Sequence, residues 1–119
     1  MDAHQKINYV EFAAHDLPAT KNFFQEVFGW SFEDYGAEYT AFSRSGIDGG
    51  FYKSELKAEL STGSALVVLY SRDLEATETK VKQSGGEISK KTFTFPGGRR
   101  FHFTEPSGNE LAVWSDIVA

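Results

Sequence analysis

The sequence predicts an α+β fold made of two βαβββ modules that form a cupped mixed β-sheet with the helices outside. Three observations predict it. The first half of the chain resembles the second, both halves carry strand-like runs in the same order, and each has one helix-like segment after its first strand. A chain of 119 residues suffices for a single domain with a substantial core. We therefore predict one domain over residues 1–119, with module one at about 5–53, a linker at 54–64 and module two at about 65–116.

The internal repeat is an ordered series of matches. VEFAAHDLPAT (10–20) aligns with VVLYSRDLEAT (67–77), and the same offset carries Gly29 onto Gly86. After five extra residues in the second copy, a new constant offset brings Ser45-Gly46 onto Ser107-Gly108. Because a repeated unit of this kind sets the whole fold, the two halves are read as copies of one structure.

Each copy contains the same predicted elements. Short apolar runs at 7–13 and 65–70 have the length and residue content of strands. Asp16 and Asp73 follow them, and a short carboxylate at such a place caps the first turn of a helix. Apolar residues then recur at three-to-four spacing up to Gly29, a residue type that ends helices in the left-handed conformation. Three further strand-like runs follow in each copy, at 31–35, 38–43 and 47–53, then at 87–94, 99–104 and 109–115.

The composition excludes several classes of protein. The net charge is −5 and no basic stripe is present, so we predict no nucleic-acid partner. Without cysteine the chain has no disulfide, thiolate metal site or cysteine nucleophile. No apolar run reaches the length of a membrane span and the start lacks the layout of a signal peptide, which predicts a soluble, cytoplasmic protein without a membrane partner. Eleven Phe, five Tyr and two Trp are enough rings to line a pocket for a planar ligand as well as a core.

Two longer motifs carry a resemblance to a known family. FFQEVFGW (23–30) closes the first predicted helix, and FHFTEPSGNELAVW (101–114) spans the last turn and strand. Together with the Asp-Leu helix openings at 16–17 and 73–74, the chain resembles the vicinal oxygen chelate superfamily, which includes glyoxalase I, extradiol dioxygenases, fosfomycin-resistance enzymes and bleomycin-resistance proteins. The resemblance covers nearly the whole chain and implies paired modules around a cupped sheet, commonly in a homodimer.

The resemblance also implies where a metal ion would bind. Metal-using members have His seven residues before the helix-opening Asp, and those places hold Tyr9 and Leu66 here. They have Glu four residues after the turn glycine, and here Ala112 and its repeat counterpart Gly50 stand there. Divalent ions of this class need three or four imidazole or carboxylate donors, and only the Tyr9 phenol could serve. We therefore predict no metal and no other cofactor.

Several residues are candidates for binding a small-molecule ligand. Strand alternation turns Tyr9 and Glu11 toward the cavity, where the carboxylate could anchor a cationic or hydrogen-bonding ligand, or else be a partly solvated residue. His102 is either an acid–base group or a hydrogen-bonded packing residue. The remaining rings either stack on a planar ligand or fill the hollow as core. The predicted ligand-binding residues are Tyr9, Glu11, Tyr52, Tyr70, His102 and Trp114.

Three hypotheses about function follow. The leading one is a glyoxalase/bleomycin-resistance-like homodimer that lacks the usual metal ligands and binds a small aromatic or cationic molecule between its modules. The second is a metal-dependent glyoxalase-like lyase or dioxygenase whose ligands have shifted to Glu11, His102 and Glu110. The third is a dimer that works through a partner protein. The sequence leaves open whether any reaction is catalysed.

Overall fold

The computed structural model describes residues 3–117 and contains eight strands and two α-helices. The elements alternate as β1-α1-β2-β3-β4 and β5-α2-β6-β7-β8, which confirms two βαβββ modules in an α+β fold. A short 3-10 turn at Leu60–Thr62 lies in the connection between them. The elements are β1 Tyr9–Ala14, α1 Leu17–Phe28, β2 Ser31–Asp34, β3 Tyr39–Ser43, β4 Asp48–Lys53, β5 Val67–Tyr70, α2 Leu74–Gln83, β6 Glu87–Phe95, β7 Gly98–Thr104 and β8 Glu110–Ser115.

Each module forms its own four-stranded mixed sheet. The strand order is β1-β4-β3-β2 in the first sheet and β5-β8-β7-β6 in the second. The first strand of each module pairs parallel with the last, and the other neighbours pair antiparallel. A parallel pair needs a long crossover, which the helix and the two middle strands supply. As a result, β1 and β5 are edge strands of their sheets.

Both helices begin at the predicted aspartates. The Asp16 carboxylate accepts a hydrogen bond from the backbone N–H of Ala19 at 3.1 Å, and Asp73 does the same for Ala76 at 3.1 Å. Each bond satisfies one of the N–H groups that a helix start leaves unpaired. Helix α1 ends at Gly29, which has a φ of 72° and lies in the left-handed region. Within residues 3–117, neither helix has the length and apolar character needed to cross a bilayer.

Helix α1 packs against the inner sides of both sheets. Phe24 stacks on Phe51 of β4 at a ring-centroid distance of 5.5 Å and on Trp30 at 4.5 Å. On the same helix, Phe23 contacts Phe103 of β7 at 5.7 Å. These side chains are buried, and full burial of each such ring stabilises the fold by roughly 2–3 kcal/mol. The helix therefore joins the two modules into one hydrophobic core.

The helices leave the opposite side of each sheet uncovered. Side chains alternate along the strands. Residues an even number of positions from the buried Phe12 or Phe103 in the same strand face α1, and the residues between them face away. We call these uncovered sides the helix-free faces. The helix-free face of the first sheet carries Tyr9, Glu11, Tyr39, Gly50 and Tyr52. The helix-free face of the second sheet carries Tyr70, Arg100, His102, Glu110, Ala112 and Trp114.

A buried polar network closes one junction between the modules. Glu105, which is 2% exposed, accepts hydrogen bonds from the Thr20 hydroxyl at 2.6 Å and from the Asn109 side chain at 2.7 Å. The same Asn109 amide donates to the backbone carbonyl of Ala13 in β1 at 2.7 Å. Ser107 Oγ lies 2.6 Å from the Thr20 hydroxyl. Burial raises the pKa of the Glu105 carboxyl, although the hydrogen bonds it accepts act in the opposite direction.

The pseudo-equivalent junction is open. The turn at 44–47, which is the repeat counterpart of the turn at 106–109, stands off β5 and leaves a cavity of about 410 Å³. Ser45 uses its hydroxyl within the turn, donating to the Ile47 carbonyl at 2.8 Å. The cavity is lined by Val10, Phe12, Phe28, Trp30, Phe42, the turn 44–47 and residues 67–70 of β5. Its wall is therefore mostly apolar.

Candidate functional site

Glu11 and two tyrosines form a hydrogen-bonded cluster on the helix-free face of the first sheet. The Tyr39 hydroxyl donates to Glu11 Oε2 at 2.9 Å, and the Tyr9 and Tyr39 hydroxyls are themselves hydrogen-bonded. Burial raises the pKa of Tyr39, and the bonds to Tyr9 and Glu11 raise it further. Tyr39 therefore stays a neutral phenol that holds the Glu11 carboxylate in place.

Gly50 makes this cluster sterically feasible. A Cβ atom built at Gly50 would collide with the Tyr39 phenol, since the ring lies directly over this residue. Gly50 pairs with Glu11 in β1 and with Ala41 in β3, so it lies at the centre of the face. Glycine in a strand interior commonly marks such a close approach. The absence of a side chain at Gly50 thus leaves space for the Tyr39 ring to lie over the strand and reach Glu11.

The cluster is accessible in the single chain. Tyr9 is 46% exposed and Tyr52, which pairs with Tyr39 across β3 and β4, is 40% exposed. Glu11 is also exposed, and its Oε1 atom has no hydrogen-bond partner within residues 3–117. A carboxylate held by one oxygen can accept a hydrogen bond from a ligand through the other.

The helix-free face of the second sheet carries a separate aromatic cluster. Tyr70 and Trp114 meet edge to face, with ring centroids 5.3 Å apart and planes at 70°. Phe95 contacts Trp114 at 6.3 Å. The Tyr70 hydroxyl donates to Asp116, and this bond raises the pKa of Tyr70. Tyr70 is 48% exposed, which leaves ring surface available for stacking.

His102 lies in the middle of this second face and is almost fully buried. It is 3% exposed, and neither ring nitrogen has a hydrogen-bond partner within the described residues. Its Nδ1 lies 3.6 Å from Glu110 Oε2, which is too long for a hydrogen bond. Burial lowers the pKa of His102, and the nearby Arg100 charge lowers it further. The imidazole is therefore neutral near pH 7.

Glu110, on the far side of His102 from Arg100, has other partners. One carboxylate oxygen accepts a hydrogen bond from the backbone N–H of Leu60 at 3.1 Å, and the other accepts one from the Ser89 hydroxyl at 3.2 Å. Glu110 thus anchors the connection between the modules to the start of β8.

The six residues predicted to bind a ligand fall into two groups of three. Tyr9, Glu11 and Tyr52 share the first helix-free face, whereas Tyr70, His102 and Trp114 share the second. Because α1 contacts the other side of both sheets, these faces point away from each other within one chain. The 410 Å³ cavity between the modules takes only Tyr70 from this set.

The residues at the family's metal-binding places do not fit a metal ion. Ala112 is a fully buried methyl group, Gly50 lies under the Tyr39 ring and Leu66 is apolar. The Tyr9 phenol is engaged with Tyr39. Within residues 3–117, no three His, Asp or Glu side chains converge. The shifted set of Glu11, His102 and Glu110 is divided between the two sheets, so one chain does not assemble it.

Two residues of these faces were missed by reasoning from the sequence. Tyr39 lies in a strand that showed no special pattern, and the one signal for it was the small Gly50, which pairs with Ala41 and lies under the Tyr39 ring. Arg100 stands in the run predicted as a strand at 99–104 but was not among the predicted ligand-binding residues, and the turn before it is confined to Pro96 and Gly97. Arg100 lies within β7, is half-buried and belongs to the second helix-free face.

Comparison with solved structures supports the fold. An enzyme of the glyoxalase/bleomycin resistance protein/dioxygenase family from Burkholderia phytofirmans is similar at 12% identity, with 93% of this chain and 98% of that chain covered and a TM-score of 0.77. A fosfomycin resistance protein from Listeria monocytogenes gives 14% identity, 93% and 93% coverage and 0.77. A lactoylglutathione lyase from Agrobacterium tumefaciens gives 17% identity, 93% and 93% coverage and 0.71. At such identities the likeness is one of fold.

Comparison with curated proteins gives no significant match. The family model described as Glyoxalase/Bleomycin resistance protein/Dioxygenase superfamily matches residues 6–113. This range contains both βαβββ modules and both helix-free faces, and it confirms the family suggested by the two sequence motifs. The chain belongs to the Glyoxalase/Bleomycin resistance protein/Dioxygenase superfamily.

Proposed function

We propose that the protein binds a small aromatic or cationic molecule in a cavity formed by the helix-free face of the first sheet and the helix-free face of the second sheet. In this proposal no metal ion occupies the family's usual place. The observation that carries this proposal is the Glu11 carboxylate. It is held by Tyr39, has one oxygen without a partner among residues 3–117 and lies among exposed tyrosine rings. A carboxylate among aromatic rings suits a cationic or hydrogen-bond-donating group on a planar ligand.

The cavity in this proposal belongs to a homodimer. Within one chain the two faces point in different directions, so the first face of one copy has to meet the second face of another. The charges of the faces favour that pairing. Glu11 and Asp48 lie on the first face, whereas Arg100 lies on the second with Lys90 beside it. Complementary charges of this kind guide association and fix its register. By symmetry, such a dimer has two equivalent cavities.

The ligand would be held by stacking as well as by charge. Tyr9 and Tyr52 come from one copy, and Tyr70 and Trp114 from the other. Each exposed ring offers a flat apolar surface, and offset or edge-to-face contacts with an aromatic ligand contribute about 0.5–1.5 kcal/mol each beyond burial.

The cytoplasmic location stays a prediction.

Binding measurements test the proposal directly. Titration calorimetry with 2-naphthylmethylamine and 2-naphthol uses one ring with a cationic and with a neutral donor group. We expect both to bind, and Glu11→Gln to weaken the amine at least about tenfold because an ion-paired hydrogen bond is lost. Glu38→Gln is the matched control, since Glu38 is exposed and, in the described part of the chain, only its backbone carbonyl is hydrogen-bonded. If neither probe binds, or both variants behave alike, the proposal is wrong.

The metal-dependent alternative has its own test. A dimer that joins the two faces would bring Glu11 of one copy toward His102 and Glu110 of the other. Metal analysis of protein purified without chelators would then find about one Mn, Fe, Ni or Zn ion per chain, by the stoichiometry of a three-ligand site. Loss of that ion in His102→Ala or Glu11→Ala would replace the present proposal with a lyase or dioxygenase.

A further inference from the structure

Buried nitrogen atoms without partners cluster on the helix-free face of the second sheet. Residues 3–117 contain four buried side-chain nitrogen atoms that lack a hydrogen-bond partner. Three of them, Arg100 Nε and both ring nitrogens of His102, lie on this face. Buried polar groups in folded proteins are nearly always paired. A cluster of three therefore indicates a polar group that the chain itself does not supply.

The same place carries positive charge without a compensating carboxylate. The Arg100 guanidinium lies 5.3 Å from the ring centroid of Phe93 and 5.6 Å from that of Phe95. Lys90 Nζ lies 4.7 Å from the Phe93 centroid. Within residues 3–117, no carboxylate lies within ion-pair distance of Arg100 or Lys90. Aromatic faces hold both cations in position but leave their charge to be neutralised by something else.

Strand register separates this charge from Glu110, and the carboxylate of Asp116, two positions beyond Trp114, accepts a hydrogen bond from the Tyr70 hydroxyl. Along β7, Arg100 pairs with Trp114, His102 with Ala112 and Thr104 with Glu110. Two residues along a strand span about 6.6 Å, so Glu110 lies roughly twice that distance from Arg100 along the strand. Glu110 is also engaged by Leu60 and Ser89. An anionic group beside Arg100 would therefore meet cations and rings rather than Glu110.

Ala112 determines what can approach this place. It is the residue opposite His102 and a neighbour of Trp114. A carboxylate here would repel an anion and would also pair with Arg100 or His102. The methyl group does neither, so the position that gives up a metal ligand adds no negative charge beside Arg100 and His102.

We propose that Arg100 and His102, with Lys90 at the edge, form an anion subsite that takes the carboxylate, or an equivalent anionic group, of a small aromatic acid. The inference rests on the proposed function, because it names the chemistry of a ligand in the same cavity. The guanidinium supplies a fork of donors to the anion. Neutral His102, whose ring is covered by its neighbours in the single chain, lies beside the bound anion and feels its charge. The ring of the ligand lies against Trp114 and Tyr70.

Titration of the wild-type protein with three probes tests the subsite. 2-Naphthoate, 2-naphthamide and 2-naphthylmethylamine share one ring and differ in charge. We expect 2-naphthoate to bind at least about tenfold more tightly than the amide, since charge-assisted hydrogen bonds replace neutral ones. The His102 imidazole, followed by NMR during a pH titration, should show a higher pKa with 2-naphthoate bound, because a neighbouring anion favours the imidazolium. The amide should leave that pKa unchanged.

Variants assign the effect to Arg100. Arg100→Met keeps much of the packing over Phe93 and Phe95 and should abolish the preference for 2-naphthoate over 2-naphthamide. Lys91→Met removes the same charge from an exposed neighbour on β6 and should retain the preference. If the amide or the amine binds while 2-naphthoate shows no advantage and no His102 shift, the subsite is wrong and the proposed function stands. If no probe binds, both proposals fall together.

Discussion

The two turns that lead into the last strand of each module share a left-handed glycine and have opposite surroundings. Gly46 and Gly108 occupy equivalent places, with φ values of 90° and 92°. The turn before β8 is sealed against β1 and α1 by the Glu105 network. The turn before β4 stands off β5 and borders an apolar cavity of about 410 Å³.

This difference shows how a duplicated fold can be specialised by few side chains. The repeat places Ser43 at the position of Glu105 and Ile47 at that of Asn109. A short hydroxyl and an apolar side chain cannot make the hydrogen bonds that the carboxylate and the amide make. The turn glycine is therefore retained in both copies, whereas Arg44, with a φ of 59°, stands where the other copy has Pro106. Polar side chains decide which junction closes.

The largest expected effect comes from breaking the closed junction. Glu105→Ala leaves the Thr20 hydroxyl and the donors of Ser107 and Asn109 without their acceptor inside the protein. We expect a loss of about 3 kcal/mol in the free energy of unfolding, measured by urea denaturation. The matched control is Ser43→Ala at the repeat counterpart, with a loss below about 0.5 kcal/mol. Equal losses would contradict the contrast between the junctions.

A matched pair of threonines gives a smaller effect. Thr20→Val removes one donor to the buried Glu105, and we expect it to cost about 1–2 kcal/mol. Its repeat counterpart Thr77 is half-buried and lies 2.7 Å from the Ser71 hydroxyl. Thr77→Val should cost about 0.5 kcal/mol, since water can replace the lost partner. Urea denaturation of the two variants side by side checks the ratio, and a reversed order would count against the assigned role of Glu105.

The closed junction should also respond to pH. Because burial raises the pKa of Glu105 above 4.5, the folded protein binds a proton more readily than the unfolded chain. The stability contributed by this group is fully present below the unfolded pKa and is lost as pH rises through the folded pKa. The slope is at most about 1.4 kcal/mol per pH unit. Urea midpoints measured upward from pH 4.5 should fall in the wild type, and Glu105→Gln should lack this component. A fall of the same size in both proteins would assign it to other groups.

The smallest expected effect concerns the two helix caps, where the contacts of the two modules match. Asp16→Ala and Asp73→Ala each remove one helix cap with the same 3.1 Å bond. Each should cost about 1 kcal/mol in urea denaturation. A difference well above the experimental error between these two variants would show that the modules respond unequally even where their contacts match.

Local structure was predictable because the repeat supplied each local sequence pattern twice. Both aspartate caps and the order of strands followed from residue types whose local chemistry is strong. The methyl group at Ala112 was also read directly, because a motif with a turn glycine fixes the register of the next strand. The predicted bounds differ from the observed ones by at most two residues, which is the scale on which element ends fray.

Contacts between distant segments were not predictable. Glu105 lies in a turn motif, and nothing local indicates that Thr20 covers it from the other module. Tyr39 and Gly50 form a steric pair across strands, which a single sequence does not reveal. The directions of the two helix-free faces depend on how α1 packs against both sheets, and this packing is decided by the shapes of Phe23 and Phe24 among their neighbours.

The bond from Asn109 to Ala13 joins residues that are 96 positions apart. During synthesis at about 5–20 residues per second, β1 and α1 leave the ribosome several seconds before Asn109 does. For that interval the nascent chain presents the Ala13 carbonyl and the Phe23 ring uncovered. Residues near the start of the chain are therefore covered only after residues near its end have been synthesised. Until then, β1 and α1 form a defined segment for cellular chaperones to bind.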